Sequence, residues 1–283
     1  MIPVLEIGGT HVTAAWTDAA ATRVGGRVRR SLDAQGSAEE ILGAIVGCAR
    51  TLPVPPGAPW AVAVPGPFDY DRGVALFEGV GKFDSLRGTD VRAALRARLP
   101  QRPGRVVFRN DAHAFLAGEW HAGAARGHRR CVGITLGTGV GSAFLADGRA
   151  CRDGVGVPPQ GRIDLVRVGG RPLEDTVSRR AIRAGYGDPH ADVRDIAERA
   201  RAGDPRARQV LDQAFGALGE VLGPFLASFG ATVLVVGGSM AASWDVVGPG
   251  LRGGLGDAPV AVLTSDLADE AALIGAALAV AGG

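Results

Sequence analysis

The sequence predicts an α/β protein of two lobes, in which one plan of strands and helices is used twice. Three observations carry this. A Gly-Thr turn stands between apolar strands at Ile7-Gly8-Gly9-Thr10, and a second at Leu136-Gly137-Thr138-Gly139-Val140-Gly141. Each hairpin is followed by helix, strand and helix, so the architecture is duplicated although the residues are not. The chain has 283 residues, 46% of them hydrophobic, enough for a core in each lobe.

Each element has a local reason. Residues 3–7 are apolar and read as a buried strand, with 11–16 as the antiparallel partner across the turn. Residues 24–28 read as a third strand. Ser37 followed by Glu40 is a capping signal that opens a helix to about Arg50. Residues 53–59 are rich in breakers. The strand 60–64 ends at Pro65-Gly66-Pro67. A helix over 89–99 places Leu95 and Leu99 on one face. The strand 106–108 delivers Asn110 and Asp111 to its C-terminal end, and 112–121 is a helix. In the second half, 131–136 and 142–145 form the second hairpin, and 148–170 is irregular. Helices are predicted over about 174–184, 193–202 and 205–229. The β-branched strand 232–236 runs into Gly237-Gly238-Ser239 at a helix N-terminus. Residues 259–263 are a strand and 270–280 an Ala-rich helix. The predicted lobes are 1–109, with the last helix (about 270–283) packing back on it, and 110–269.

Composition excludes several function classes. Basic residues number 31 and acidic residues 29, a net charge of +2. That balance argues against a nucleic-acid partner held by electrostatics. Lys82 is the only lysine, an Arg bias typical of a GC-rich genome. The three cysteines, Cys48, Cys131 and Cys151, are scattered, so a disulfide framework is not expected and a reducing cytoplasm is. The chain enters a strand at once, and no apolar run has the length of a membrane span, so neither a signal peptide nor a membrane partner is expected. His11, His113 and His121 lack metal-ligand spacing. No Cys-x-x-Cys pair exists, and zinc is not expected.

The motifs admit a bland and a chemical reading. Each Gly-Thr turn alone is a tight hairpin. Two at matching places suggest a clamp for a polyphosphate, because backbone N–H groups point outward with no Cβ in the way. Gly237-Gly238-Ser239 adds free N–H groups and a helix dipole for an anion or a nucleotide. Asp111 is either an N-cap for the following helix or a base at a strand end. Glu174 is either a first-turn carboxylate favoured by the dipole or a ligand-binding group.

The residues then resemble a family. Glu6-Ile7-Gly8-Gly9-Thr10, Val64-Pro65-Gly66-Pro67, the run Asn110-Asp111-Ala112-His113 to Glu119, and Gly137-Thr138-Gly139-Val140-Gly141 resemble the ROK family. The match continues through Val236-Gly237-Gly238-Ser239 to Ala272-Leu273-Ile274-Gly275-Ala276-Ala277. That family comprises bacterial sugar kinases and sugar-responsive repressors on the actin-like ATPase (ribonuclease H-like) fold. Its repressors carry an added N-terminal helix-turn-helix domain, whereas this chain starts at the first strand, so a DNA partner is not expected.

The resemblance implies an ATP-dependent kinase for a hexose or a modified or amino hexose. Asp111 would be the general base for the 6-hydroxyl. Gly66, Asn110, Asp111 and Glu174 would bind the sugar. Gly8, Gly9, Thr10, Gly137, Thr138 and Gly139 would hold the ATP phosphates, and Gly237, Gly238 and Ser239 would lie against the nucleoside. Mg²⁺ would bridge the phosphates, with Glu6 approaching it through water. A cytoplasmic homodimer is implied. Closure of the lobes over a cleft would exclude water.

Three departures stand out. Glu6 replaces the family's Asp. Gly161-Arg162-Ile163-Asp164-Leu165 replaces its Gly-Glu-Ile-Gly-His, and the three-cysteine zinc loop is reduced to 168–174. The segment 76–84 has no match to a sugar-binding Asn. ATP chemistry is kept and sugar recognition rebuilt, with Arg162 either facing the sugar or lying on the surface. A catalytically inactive nucleotide- or sugar-binding sensor is the competing class. Asp111 argues for the enzyme, since a sensor needs no base.

Overall fold

The structure is a computed structural model that describes residues 1–281. The chain forms two compact units, 1–122 with 269–281, and 123–268. The division falls after the helix 111–122 rather than at 109/110, because that helix packs against the last helix of the chain.

Unit 1 starts with β1 (Ile2–Ile7), β2 (His11–Thr17) and β3 (Val24–Ser31), a meander with antiparallel pairing throughout. α1 (Ala38–Ala49) begins with the predicted capping box: Ser37 Oγ accepts from Glu40 N–H, and the Glu40 carboxylate accepts from Ser37 N–H. β4 (Trp60–Val64) lies parallel to β1. A short ribbon, β5 (Phe68–Asp69) and β6 (Val74–Ala75), follows. α2 (Val91–Arg98) is capped by Asp90, and β7 (Val106–Asn110) lies parallel to β4 and leads into α3 (Asp111–Ala122). The sheet order is β3-β2-β1-β4-β7.

Unit 2 repeats this order. β8 (Arg130–Leu136), β9 (Val140–Ala146) and β10 (Arg149–Ala150) form the meander. The region expected to be irregular holds two 3₁₀ turns, at Pro159–Gly161 and Ile163–Leu165, and a small ribbon of β11 (Arg167–Val168) and β12 (Arg171–Pro172). The single helix expected over 174–184 is two: α4 (Glu174–Val177) and α5 (Arg179–Tyr186). Ser178 breaks them with an extended backbone, ψ 156°, and its Oγ caps α5 by accepting from Ala181 N–H. α6 (Val193–Arg201) and the long α7 (Pro205–Phe229) follow, capped by Asp192 and Asp204. β13 (Val233–Gly237) lies parallel to β8. Next comes α8 (Trp244–Leu255), a helix that reading the sequence did not delimit because Gly248, Pro249, Gly250, Gly253 and Gly254 look like a loop. β14 (Ala261–Thr264) lies parallel to β13, giving the order β10-β9-β8-β13-β14. The chain returns to unit 1 as α9 (Ala271–Ala281).

Alternation along the strands divides the cores. Leu5, Ile7, Trp60, Val62 and Val64 face α1 and α2, together with Ile41, Ile45 and Leu95. Val4, Ala15, Ala61 and Ala63 face α9 through Leu273 and Ala276. Small side chains on that face let the helix lie close. In unit 2, Val132, Ile134, Leu136, Leu234 and Val236 pack on Phe215, Leu218 and Leu222 of α7.

Candidate active site

In unit 1, parallel pairing brings the C-terminal ends of β1, β4 and β7 to one sheet edge. Glu6 pairs with Ala63, and Val64 with Asn110. The predicted residues Glu6, Gly8, Gly9, Thr10, Gly66, Asn110 and Asp111 therefore gather there. Open α/β sheets bind ligands outside these strand ends.

The first Gly-Thr turn is held from both sides. Gly8 N–H donates to His11 O at 2.9 Å, and Leu32 N–H donates to Thr10 O at 3.0 Å. Gly8 and Gly9 are not left-handed. Gly8 serves close approach, since a Cβ there would meet the His11 ring at 3.1 Å.

At the end of β7, Asn110 Oδ1 accepts from His113 N–H at 3.1 Å, which caps α3. Asp111 is half-buried in the first turn, and its Oδ1 accepts from Ala112 N–H at 2.9 Å. Asn110 Nδ2 donates to Tyr70 Oη at 3.0 Å, and a Cβ on Gly66 would stand 3.3 Å from that same oxygen. Tyr70 thus joins two of the predicted sugar-binding positions, and no local sequence signal marks it.

Electrostatics single out Glu6. Burial pushes its carboxyl up to about 7, with the charges of Asp111 and Asp269 adding to the shift and Arg29 and Arg27 opposing it. Asp269, which the motifs did not flag, also pairs with Arg29 at 3.6 Å. A carboxyl strained in this way suits a nearby cation. Among the described residues no group of three or more His, Cys, Asp or Glu side chains is arranged to hold a metal ion by itself. Mg²⁺ carried largely by substrate phosphates and water needs no such cage, and Glu6 is the carboxylate at this sheet edge that would face its water shell.

In unit 2, the second turn closes with Gly137 N–H donating to Gly139 O at 3.0 Å. A Cβ on Gly139 would run into Glu174 Oε1, so Glu174 lies against this turn. Gly237 pairs with Thr135. Gly238 is left-handed at φ +86°, and a Cβ there would strike the backbone of Leu136. The third Gly-rich loop is thereby seated beside the second Gly-Thr turn. Ser239 opens a 3₁₀ turn, Ser239–Ser243, that leads into α8. Arg162 grips the buried Asp164 carboxylate through two guanidinium nitrogens.

These strand orders and Gly-rich turns can be set against known proteins. The sequence profile of the ROK family matches residues 3–282. The chain belongs to the ROK family. A glucokinase of Thermotoga maritima is 29% identical over 252 residues, covering 76% of this chain and 77% of that protein. A ROK hexokinase structure from Thermus thermophilus superposes with a TM-score of 0.76 at 26% identity, covering 100% of this chain and 99% of that one. A ROK glucokinase from Streptomyces griseus, solved with glucose and AMPPNP, superposes at 0.78 with 24% identity, covering 99% and 98%. The ROK chain thus has the actin-like ATPase fold. Among its described residues no helix is long and apolar enough to cross a membrane.

Proposed function

We propose that this ROK protein is an ATP-dependent sugar kinase, glucokinase-like in its phosphate chemistry, acting on the 6-hydroxyl of a hexose or a modified or amino hexose. The observation that carries the reading is the gathering of Asp111, Asn110, Gly66, Glu6 and the first Gly-Thr turn at one sheet edge. Phosphoryl transfer is mainly positioning and charge stabilisation, and those residue types supply both.

In this reading Asn110 and the backbone at Gly66 orient the sugar, with Glu174 as a further contact. Asp111 takes the proton of the attacking hydroxyl as its oxygen bonds to the γ-phosphorus. The bond from that phosphorus to the bridging oxygen breaks, and ADP leaves. Gly9 and Thr10 would present N–H groups to the phosphates, as would Thr138 and Gly139, while Gly8 and Gly137, whose own N–H groups close the turns, would leave the backbone open to close approach. Gly237, Gly238 and Ser239 serve the nucleoside. Bound Mg²⁺ would neutralise phosphate charge, and Glu6 would orient its water shell. A capping-only role for Asp111 is less favoured, because Asn110 supplies the hydrogen bond that caps α3. The protein would work as a cytoplasmic homodimer.

The test is a panel of hexoses and aminohexoses assayed for ATP-coupled turnover by the purified protein, with the phosphorylated carbon assigned by NMR. Sugar-dependent ADP release with a 6-phosphate product is expected. Nucleotide binding without turnover on any sugar would contradict the reading and favour a sensor.

A further inference from the structure

The segment 76–84, which matched nothing expected of a sugar site, places the only lysine of the chain at the first Gly-Thr turn. The Cδ of Lys82 lies 3.9 Å from the point where Gly9 would carry a Cβ. The side chain is half-buried, and Lys82 takes part in no ion pair or hydrogen bond among the described residues. Lysine stems often lie on apolar surface with the charge in water; this one passes a bare glycine of the turn.

The backbone that delivers it is strained and firmly held. Phe83, the next residue, is left-handed at φ +60° and ψ 14°, an uncommon state for a bulky side chain. It is 1% exposed, its N–H donates to Ala34 O at 2.6 Å, and its ring stands 5.1 Å from that of Phe77. Gly79 and Gly81 are also left-handed, and Val80 N–H donates to Asp84 Oδ1 at 3.3 Å. Packing over-determines the strained conformation, an arrangement that concentrates at functional sites.

We propose that Lys82 is a catalytic residue whose ammonium contacts the terminal phosphate of ATP over the Gly8-Gly9-Thr10 turn. The inference rests on the kinase reading and adds to it a cation that no motif assigned. The ammonium is two bonds beyond Cδ, within reach of an oxygen held by the backbone N–H groups of the turn. A compact ammonium suits a phosphate as a point charge. The terminal phosphate is singled out because this turn shares its sheet edge with Asp111, and the phosphate nearest the base is the one transferred. Positive charge fixed there stabilises the equatorial oxygens as the phosphoryl group moves.

The test compares Lys82→Met, which keeps the stem, with Lys82→Arg and wild type. Binding of AMPPNP and of ADP, each with Mg²⁺, is measured by calorimetry, beside kcat with the best hexose and the melting temperature. Lys82→Met is expected to weaken AMPPNP binding and lower kcat by about 10- to 100-fold, the range of one charge-assisted hydrogen bond. ADP affinity and melting temperature should be kept, and Lys82→Arg should restore most of the loss. Wild-type AMPPNP affinity and kcat in Lys82→Met would overturn the role of Lys82 and leave the kinase reading intact. Equal loss of ADP and AMPPNP binding would also overturn it, because the terminal phosphate would not be the contact. A wild-type protein that neither binds AMPPNP nor turns over would overturn the kinase reading and this inference together.

Discussion

Asn110 uses one amide for two purposes. Its Oδ1 caps α3, and its Nδ2 donates to the Tyr70 hydroxyl. The remaining N–H of that amide is then aimed by its neighbours rather than by the substrate. Tyr70→Phe keeps the ring against Phe68 and removes the hydroxyl. Loss of one neutral hydrogen bond predicts a rise in KM for the sugar of about 2- to 10-fold, with KM for ATP unchanged. Steady-state kinetics with each substrate varied in turn would check this, and an unchanged sugar KM would remove the role. Tyr70 escaped notice in the sequence because its contact depends on two chain segments 40 residues apart. Glu6 makes a second prediction at this scale. Its folded pKa, about 7, lies above the ordinary 4.5, so the folded state holds a proton that the unfolded state has lost across that window. The resulting stability is fully present below about pH 4.5 and is lost as pH rises through about 7. In metal-free buffer the melting temperature of wild type should therefore fall relative to that of Glu6→Gln across this range. The difference is on the order of 3 kcal/mol at most. Parallel pH profiles for the two proteins would contradict the shift.

The crossing of α3 and α9 depends on two glycines. A Cβ on Gly118 would strike Ala271 O, and a Cβ on Gly275 would strike Ala114 O. This gives a physical reason for the glycine in the terminal Ala-rich segment, which had entered only as part of a family pattern. Alanine at either place gains helix propensity of about 1 kcal/mol, but the clash opposes it with backbone on one side and no side chain able to move. Overpacking costs about 1–3 kcal/mol, so with the propensity gain subtracted Gly275→Ala is predicted to lose up to about 2 kcal/mol in urea unfolding. Stability equal to or above wild type would show that the helices separate at little cost. The same close packing explains why α8 was hard to see. Gly254 faces the backbone at Gly216, and Gly219 faces Leu251 O. Glycines that look like loop residues in the sequence are contact points between α7 and α8. α1 was plain for the opposite reason: Ser37 announces it through local hydrogen bonds, and Asp90 and Asp204 cap α2 and α7 in the same way although they are not among the predicted caps. Ser178 carries such a signal too, inside the run 174–184 that the sequence predicts as one helix.

At the scale of the whole molecule, the two five-stranded sheets have the same strand order and directions. The duplication was legible because each hairpin keeps its Gly-Thr turn, where side chains of His11 and Glu174 lie against Gly8 and Gly139. The segments that depart from the family pattern were less legible, since Arg162, Asp164 and residues 76–84 are arranged by contacts that no motif announces. Arg162 is engaged by Asp164, so a rebuilt site does not require its guanidinium to meet a substrate. Phosphoryl transfer with Asp111 as base is tested by kcat of Asp111→Asn with saturating ATP and the best hexose. Asn keeps the shape and the first-turn polarity, and Asn110 still caps α3. Loss of the base should lower kcat by about 10²- to 10⁴-fold, with AMPPNP affinity and melting temperature kept. Turnover near that of wild type would contradict it.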